Sequence, residues 1–166
     1  MRIEHTSHNA VPVEAAFAMT VDPRFQELKC ADAGALSWDV RVERDGKKVI
    51  VRTKRTMPSV GFPSVLRKFV PSQMTALETT TWSPPAADGS RNGELELDFH
   101  GAPISMSGTV RLAPDGPQAS TVVVSADFVA HVPVVGHRIE KFAAPIIVQV
   151  IEAEEKTSQD WTAGRR

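Results

Sequence analysis

The sequence predicts an α+β fold: a strongly twisted, seven-stranded antiparallel sheet with two short helices near its start and one long C-terminal helix packed across it. Three observations predict this. Between residues 36 and 131 apolar residues recur at every second position, the period of a half-buried strand. Turn residues interrupt that pattern at short intervals. After Gly136 the period changes to that of a helix with one apolar stripe.

Residues 2–8 form the first strand, with Ile3, His5 and Ser7 on one face. Val11-Pro12 opens a short helix, because proline suits the first helical turn, and Val13, Ala16 and Phe17 share its face. Asp22-Pro23 ends that helix and starts another, carrying Phe25, Leu28 and Lys29, which leaves at Gly34. Leu36, Trp38, Val40 and Val42 then alternate with polar neighbours up to an Asp45-Gly46 hairpin turn. The returning strand puts Val49, Val51, Thr53, Arg55 and Met57 on one face. Four further strands follow at 73–82, 93–99, 103–112 and 119–131, separated by a Pro84-Pro85 loop, a Gly101-Ala102-Pro103 turn and a Pro114-to-Pro117 turn.

The last segment, HVPVVGHRIEKFAAPIIVQVIEAEEKTSQDW, reads as a strand end, a turn and an amphipathic helix interrupted by Pro145. Gly136 is expected to supply a backbone conformation that other residues resist. Ile139, Phe142, Ala143, Ile146, Ile147, Val150 and Ile151 make the apolar stripe. Pro145 removes one helical hydrogen bond and is expected to bend or loosen the helix there.

Length and charge narrow the function. A chain of 166 residues suffices for a single domain, taken as 1–166, that buries roughly 70% of its unfolded surface. Nineteen Lys and Arg against 20 Asp and Glu give a formal charge of -1, so no field favours a nucleic-acid backbone. The single cysteine, Cys30, has no internal disulfide partner and reads as a small buried apolar residue. The polar start MRIEHTSHN is not a secretory signal, and Phe142–Ile151 is too short to span a bilayer. A soluble cytoplasmic protein without stable membrane insertion is expected.

The element order, with VPVEAAFAMTVDPRFQEL early and a long helix after VPVVGHRIEKF, resembles the START-like superfamily, also called SRPBCC or helix-grip, which includes the birch-pollen-allergen fold. Within it, GAPISMSGT, a strand ending in Val-Pro and a Gly-x-x-Ile-Glu-Lys helix start look most like a bacterial family of unknown function. The resemblance covers nearly the whole chain. It implies a sheet gripping the final helix, with a cavity between them that in many relatives holds a lipid, polyketide, sterol or quinone. The scaffold also hosts cyclases, hydrolases and chaperone activators, so fold alone does not choose among them. The primary expectation is therefore binding, transport or sensing of an apolar or amphipathic small molecule, without a cofactor. Trp38, Val40, Val51, Thr53, Arg55, Leu77, Leu97, Phe99, Met106 and Phe142 are the expected lining.

No catalytic signature stands out. His5-x-x-His8 on a strand points its rings to opposite faces, and His131 and His137 lie across a turn. No two-His-one-carboxylate spacing is present, so no metal is expected. No Gly-x-Ser-x-Gly elbow occurs. An alternative, an enzyme of cyclase or hydrolase type, would rest on a polar group desolvated in the cavity, with His5, Arg55, Asp127 and Glu140 as candidates. Arg55 continues the inward register, so it either anchors a ligand carboxylate or snorkels to water at the sheet's end. Asp127 is expected to point outward and Glu140 to cap or solvate the helix start.

The connection PSVGFPSVLRKFVPS, spanning the 58–70 loop, carries Val60, Phe62, Val65, Leu66, Phe69 and Val70. It reads as a lid, a membrane-touching element, a homodimer contact, or a short helix plugging the sheet. A protein-interaction module acting through this loop is a third possibility.

Overall fold

Six strands that follow one another in the chain pair most simply as a meander, and the strand ahead of them must find a free edge. The computed structural model, which describes residues 1–58 and 71–165, shows this arrangement. The described elements run β1 (Arg2–Asn9), α1 (Val13–Thr20), α2 (Pro23–Asp32), β2 (Ser37–Asp45), β3 (Lys48–Pro58), β4 (Gln73–Trp82), β5 (Arg91–His100), β6 (Ile104–Pro114), β7 (Ser120–Ala130) and α3 (Gly136–Thr162). The seven strands form one antiparallel sheet in the order β1-β7-β6-β5-β4-β3-β2. Strand β1 thus joins the edge opposite β2, and the α1–α2 pair spans from one edge to the other. The loop expected at 58–70 lies, beyond Pro58, outside the described residues.

Local signals account for the element ends. Pro23 occupies the first turn of α2, and the Asp22 carboxylate, its N-cap, accepts from the Arg24 N–H at 2.8 Å. In the sheet, the inward register is Ile3 and His5 on β1, Val51 and Arg55 on β3, Leu95 and Leu97 on β5, and Met106 and Leu112 on β6. These side chains meet α3 on one side of the sheet. One buried cluster joins Ile3, Leu97, Met106 and Phe128 to Ile139 and Ala143 of α3. A second joins Val13 and Phe17 of α1 to Val49, Trp82 and Leu112. There Phe17 meets Trp82 edge to face at 5.6 Å, and the Arg91 guanidinium lies 3.7 Å from the centre of the Phe17 ring.

Two expectations about the last turn and helix are corrected. Gly136 does not take a left-handed conformation; that falls to Val134, at φ 70°. Gly136 is needed for space, since a Cβ there would lie 2.5 Å from the Ala130 carbonyl oxygen. The α3 helix also continues unbroken through Pro145 for 27 residues. Its contacts with β1, β7 and α2 hold the segments on both sides of the proline, so one missing backbone donor does not end it.

Gly136→Ala is expected to lower stability, because a backbone oxygen cannot swing aside as a side chain can. Val134 is fully exposed, and a β-branched residue in the left-handed region is strained by roughly 1–2 kcal/mol. Val134→Gly is therefore expected to raise the urea midpoint slightly, part of the relief being offset by the added freedom of the unfolded chain. Equilibrium urea unfolding of both variants checks the pair.

Candidate functional site

Where a curled sheet and a helix cannot touch along their whole length, space remains between them. A pocket of about 280 Å³ lies between the inward face of the sheet and α3, with α1 and α2 contributing to its wall. Leu97, Phe99, Met106 and Phe128 line the sheet side, and Ile146, Ile147, Val150 and Ile151 line the helix side. The helical residues lie on the predicted apolar stripe.

Among the described residues, the same wall carries six ionisable side chains: His5, Lys29, Arg55, Glu78, Glu154 and Glu155. Arg55 is only 6% exposed, and it neither snorkels to water nor presents an open charge. Its Nη1 donates to Glu154 Oε1 at 2.7 Å and its Nη2 to Glu78 Oε2 at 3.0 Å. Lys29 Nζ of α2 lies 3.0 Å from the other Glu154 oxygen. One carboxylate of α3 is thereby tied to α2, β3 and, through Arg55, to β4. Glu155, next along α3, accepts on Oε1 from Gln159 at 3.3 Å and pairs through Oε2 with His5 Nε2 of β1 at 3.0 Å.

Burial by itself would raise the Glu154 carboxyl, but the charges of Lys29 and Arg55 and their hydrogen bonds outweigh it and hold it at about 2. Burial likewise opposes charge on Lys29 and Arg55, and the facing carboxylates more than compensate, raising both. Burial dominates at Cys30, a neighbouring buried thiol, and pushes it up. Lys29, Arg55 and Glu154 are therefore held charged at neutral pH, and the thiol is held neutral.

The expected lining divides. Val51, Arg55, Leu97, Phe99 and Met106 are on the pocket wall, whereas Trp38, Val40, Thr53, Leu77 and Phe142 are not. Trp38 and Val40 belong to edge strand β2, whose inner side meets α2, and Trp38 is 42% exposed beside Leu28 and Trp161. Leu77 faces outward because Met74, Ala76, Thr80 and Trp82 set the inward register of β4, with Glu78 between them. Thr53 is buried outside the lining, and Phe142 packs against the first apolar cluster. Of the catalytic candidates, His5 and Arg55 meet at the pocket. Asp127 points out to Arg2 at 3.0 Å. Glu140 accepts the Ala130 N–H at 3.1 Å, a bond that lowers its carboxyl pKa and ties α3 to the end of β7.

Lys29, Glu78, Glu154 and Glu155 escaped the sequence reading, although signals for two of them exist. Glu78 shares the inward register of Trp82, diagonal to Arg55 across the β3–β4 pair. Glu154 continues the stripe of Ile147 and Ile151 at helical spacing, though an EAEEK run reads first as a solvated face. Among the described residues no three His, Cys, Asp or Glu side chains gather as a metal site. No helix there is long and apolar enough to cross a membrane.

Residues 4–162 match the family model described as "Protein of unknown function (DUF2505)". The chain belongs to this family. No curated protein matches its sequence. Among solved structures, TTHA0849 from Thermus thermophilus is similar over 99% of both chains at 16% identity and a TM-score of 0.67. Human STARD10 matches over 99% of this chain and 65% of its own at 8% identity and 0.65. The Zhui aromatase/cyclase from Streptomyces sp. R1128 matches over 99% and 92% at 15% identity and 0.54. These likenesses show a shared helix-grip fold of the START and SRPBCC type.

Glu154→Ala would strand Lys29 and take one of two carboxylates from Arg55, and a loss of about 3–5 kcal/mol is expected in urea unfolding. Glu154 also sets a pH dependence. Its folded value of about 2 lies below the ordinary 4.5, so on acidification the unfolded chain takes up the proton first. The stabilisation is complete above the ordinary value and drains away as pH falls toward about 2. Glu154→Gln is expected to remove that part of the acid slope, measured as urea midpoints across the window.

Proposed function

We propose that this DUF2505 protein binds one apolar or amphipathic small molecule between its sheet and α3, as a carrier or sensor. One observation carries the proposal: a mostly apolar space of about 280 Å³ with a few ionisable groups on its wall is left inside the fold. Small-molecule sites run from roughly 300 to 1,000 Å³ and are mostly apolar with a few convergent polar groups. The pocket is at the small end of that range. It suits a short acyl chain or a compact ring system better than a two-chain phospholipid. Transfer of apolar ligand surface from water supplies the driving force, at roughly 25 cal/mol per Å². Val51, Leu97, Phe99, Met106 and the α3 stripe are the proposed contacts, with Arg55 in the polar wall.

The shared fold supports this proposal without selecting a ligand. A second function, an enzyme of cyclase or hydrolase type, is favoured by the His5–Glu155 pair. A carboxylate fixes the imidazole's orientation and receives the Nε2 proton, leaving Nδ1 as an acceptor when the ring is neutral. In that case a ligand extracted from the protein would be converted over time by the wild type and not by His5→Gln.

The neutral probe N-phenyl-1-naphthylamine is expected to gain fluorescence on binding and to be displaced by apolar compounds. Leu97→Trp, which fills part of the space, is expected to weaken the probe about tenfold or more, equivalent to roughly 1.4 kcal/mol. Unchanged probe affinity in that variant would place binding elsewhere, and no binding by any apolar probe would sink the proposal.

A further inference from the structure

The ion network also indicates what kind of head group the pocket accepts, provided that it binds a ligand as proposed above. The inward arginine suggests a carboxylate anchor when read from the sequence alone. In the structure Arg55 already bonds two carboxylates, Glu154 at 2.7 Å and Glu78 at 3.0 Å, and Lys29 is 3.0 Å from Glu154. Two permanent cations therefore face two carboxylates, a balanced set. Glu155 is a third carboxylate on the same wall, and its ionisable partner is His5. With His5 neutral the ionisable lining sums to three negative and two positive charges, a net of -1.

An incoming carboxylate would add a fourth negative charge to a poorly solvated wall whose described ionisable groups already hold three against two cations. An incoming cation leaves every existing pair in place and offsets the unmatched charge.

We infer that the pocket's ligand is an amphiphile with a cationic amine head, held beside Glu155 with its apolar part along α3, and that the polar wall rejects the carboxylate of a fatty acid. The Arg55 network is thus structural, and the charge that discriminates among ligands is Glu155. The groups that share this wall and enter the charge balance are Lys29, Arg55, Glu78, Glu154 and Glu155.

Three ligands with one tail separate head from tail: decylamine, decanol and decanoate, each displacing N-phenyl-1-naphthylamine from the wild-type protein at pH 8, where an alkylamine is protonated as lysine is, with an ordinary pKa of about 10.4. Decylamine is expected to bind at least about tenfold tighter than decanoate, with decanol between them. The order should persist at roughly 1 M salt, where attraction to the outer surface is screened to within about 3 Å. Glu155→Gln should bring the amine and carboxylate affinities together. Decanoate equal to or tighter than decylamine would overturn the inference, as would decanol binding best or a preference that vanishes in salt. It also fails if the probe binds and none of the three displaces it. If the probe itself does not bind, the failure belongs to the small-molecule function and not to the head-group assignment.

Discussion

Glu154 is the point on which the architecture closes. A single carboxylate on the long helix takes Arg55 from β3 on one oxygen and Lys29 from α2 on the other, and Arg55 passes the connection to Glu78 on β4. Its neighbour Glu155 reaches His5 on β1. In the sheet, β1 and β3 are separated by β7, β6, β5 and β4. Two successive residues on a helix point only about 100° apart, so both strands can be reached from one turn only if the sheet curls around the helix. The two pairs therefore act as clasps on either flank.

A buried charge network is a weak source of net stability, because desolvation of each ion offsets most of the attraction. Its effect here is positional. Apolar contact along the α3 stripe is non-directional and would tolerate sliding or rotation of the helix. Paired charges with bond lengths of 2.7 and 3.0 Å permit one placement. That placement keeps Ile146, Ile147, Val150 and Ile151 over the sheet and leaves room beneath them. A helix free to settle deeper would fill the space with its own side chains.

The distribution of polar and apolar wall has consequences for chemistry. The ionisable groups come from β1, β3, β4, α2 and the later part of α3, while the earlier part of the helix stripe is apolar. An amphiphile finds both environments within one pocket. Glu154 is held ionised by its partners, at about 2, rather than raised toward neutrality. Such a group suits charge pairing and orientation better than proton transfer, for which a value near the working pH is wanted.

The sequence by itself determined the elements and most of their faces. Period-two alternation, proline and glycine turns and the 139–151 stripe each depend on neighbours in the chain, and each appears in the structure in the predicted order. The inward registers of β3, β5 and β6 were legible for the same reason, and so Val51, Arg55, Leu97, Phe99 and Met106 face α3 as the alternation predicts. Alternation could not show that β2 is an edge whose inner side α2 covers, which removes Trp38 and Val40 from the wall. On β4 the alternation of Met74, Ala76 and Trp82 does place Glu78 inward and Leu77 outward, a register that the apolar character of Leu77 obscures. Tertiary structure alone decided what Arg55 meets. Its partners lie 23 and 99 residues away, and a charge surrounded by apolar sequence neighbours carries no mark of which distant carboxylate will neutralise it. The VPVVGH turn shows the same division: local sequence marks a turn, but the need for Gly136 comes from the approach of the Ala130 carbonyl, a contact that exists only once β7 and α3 are folded against each other.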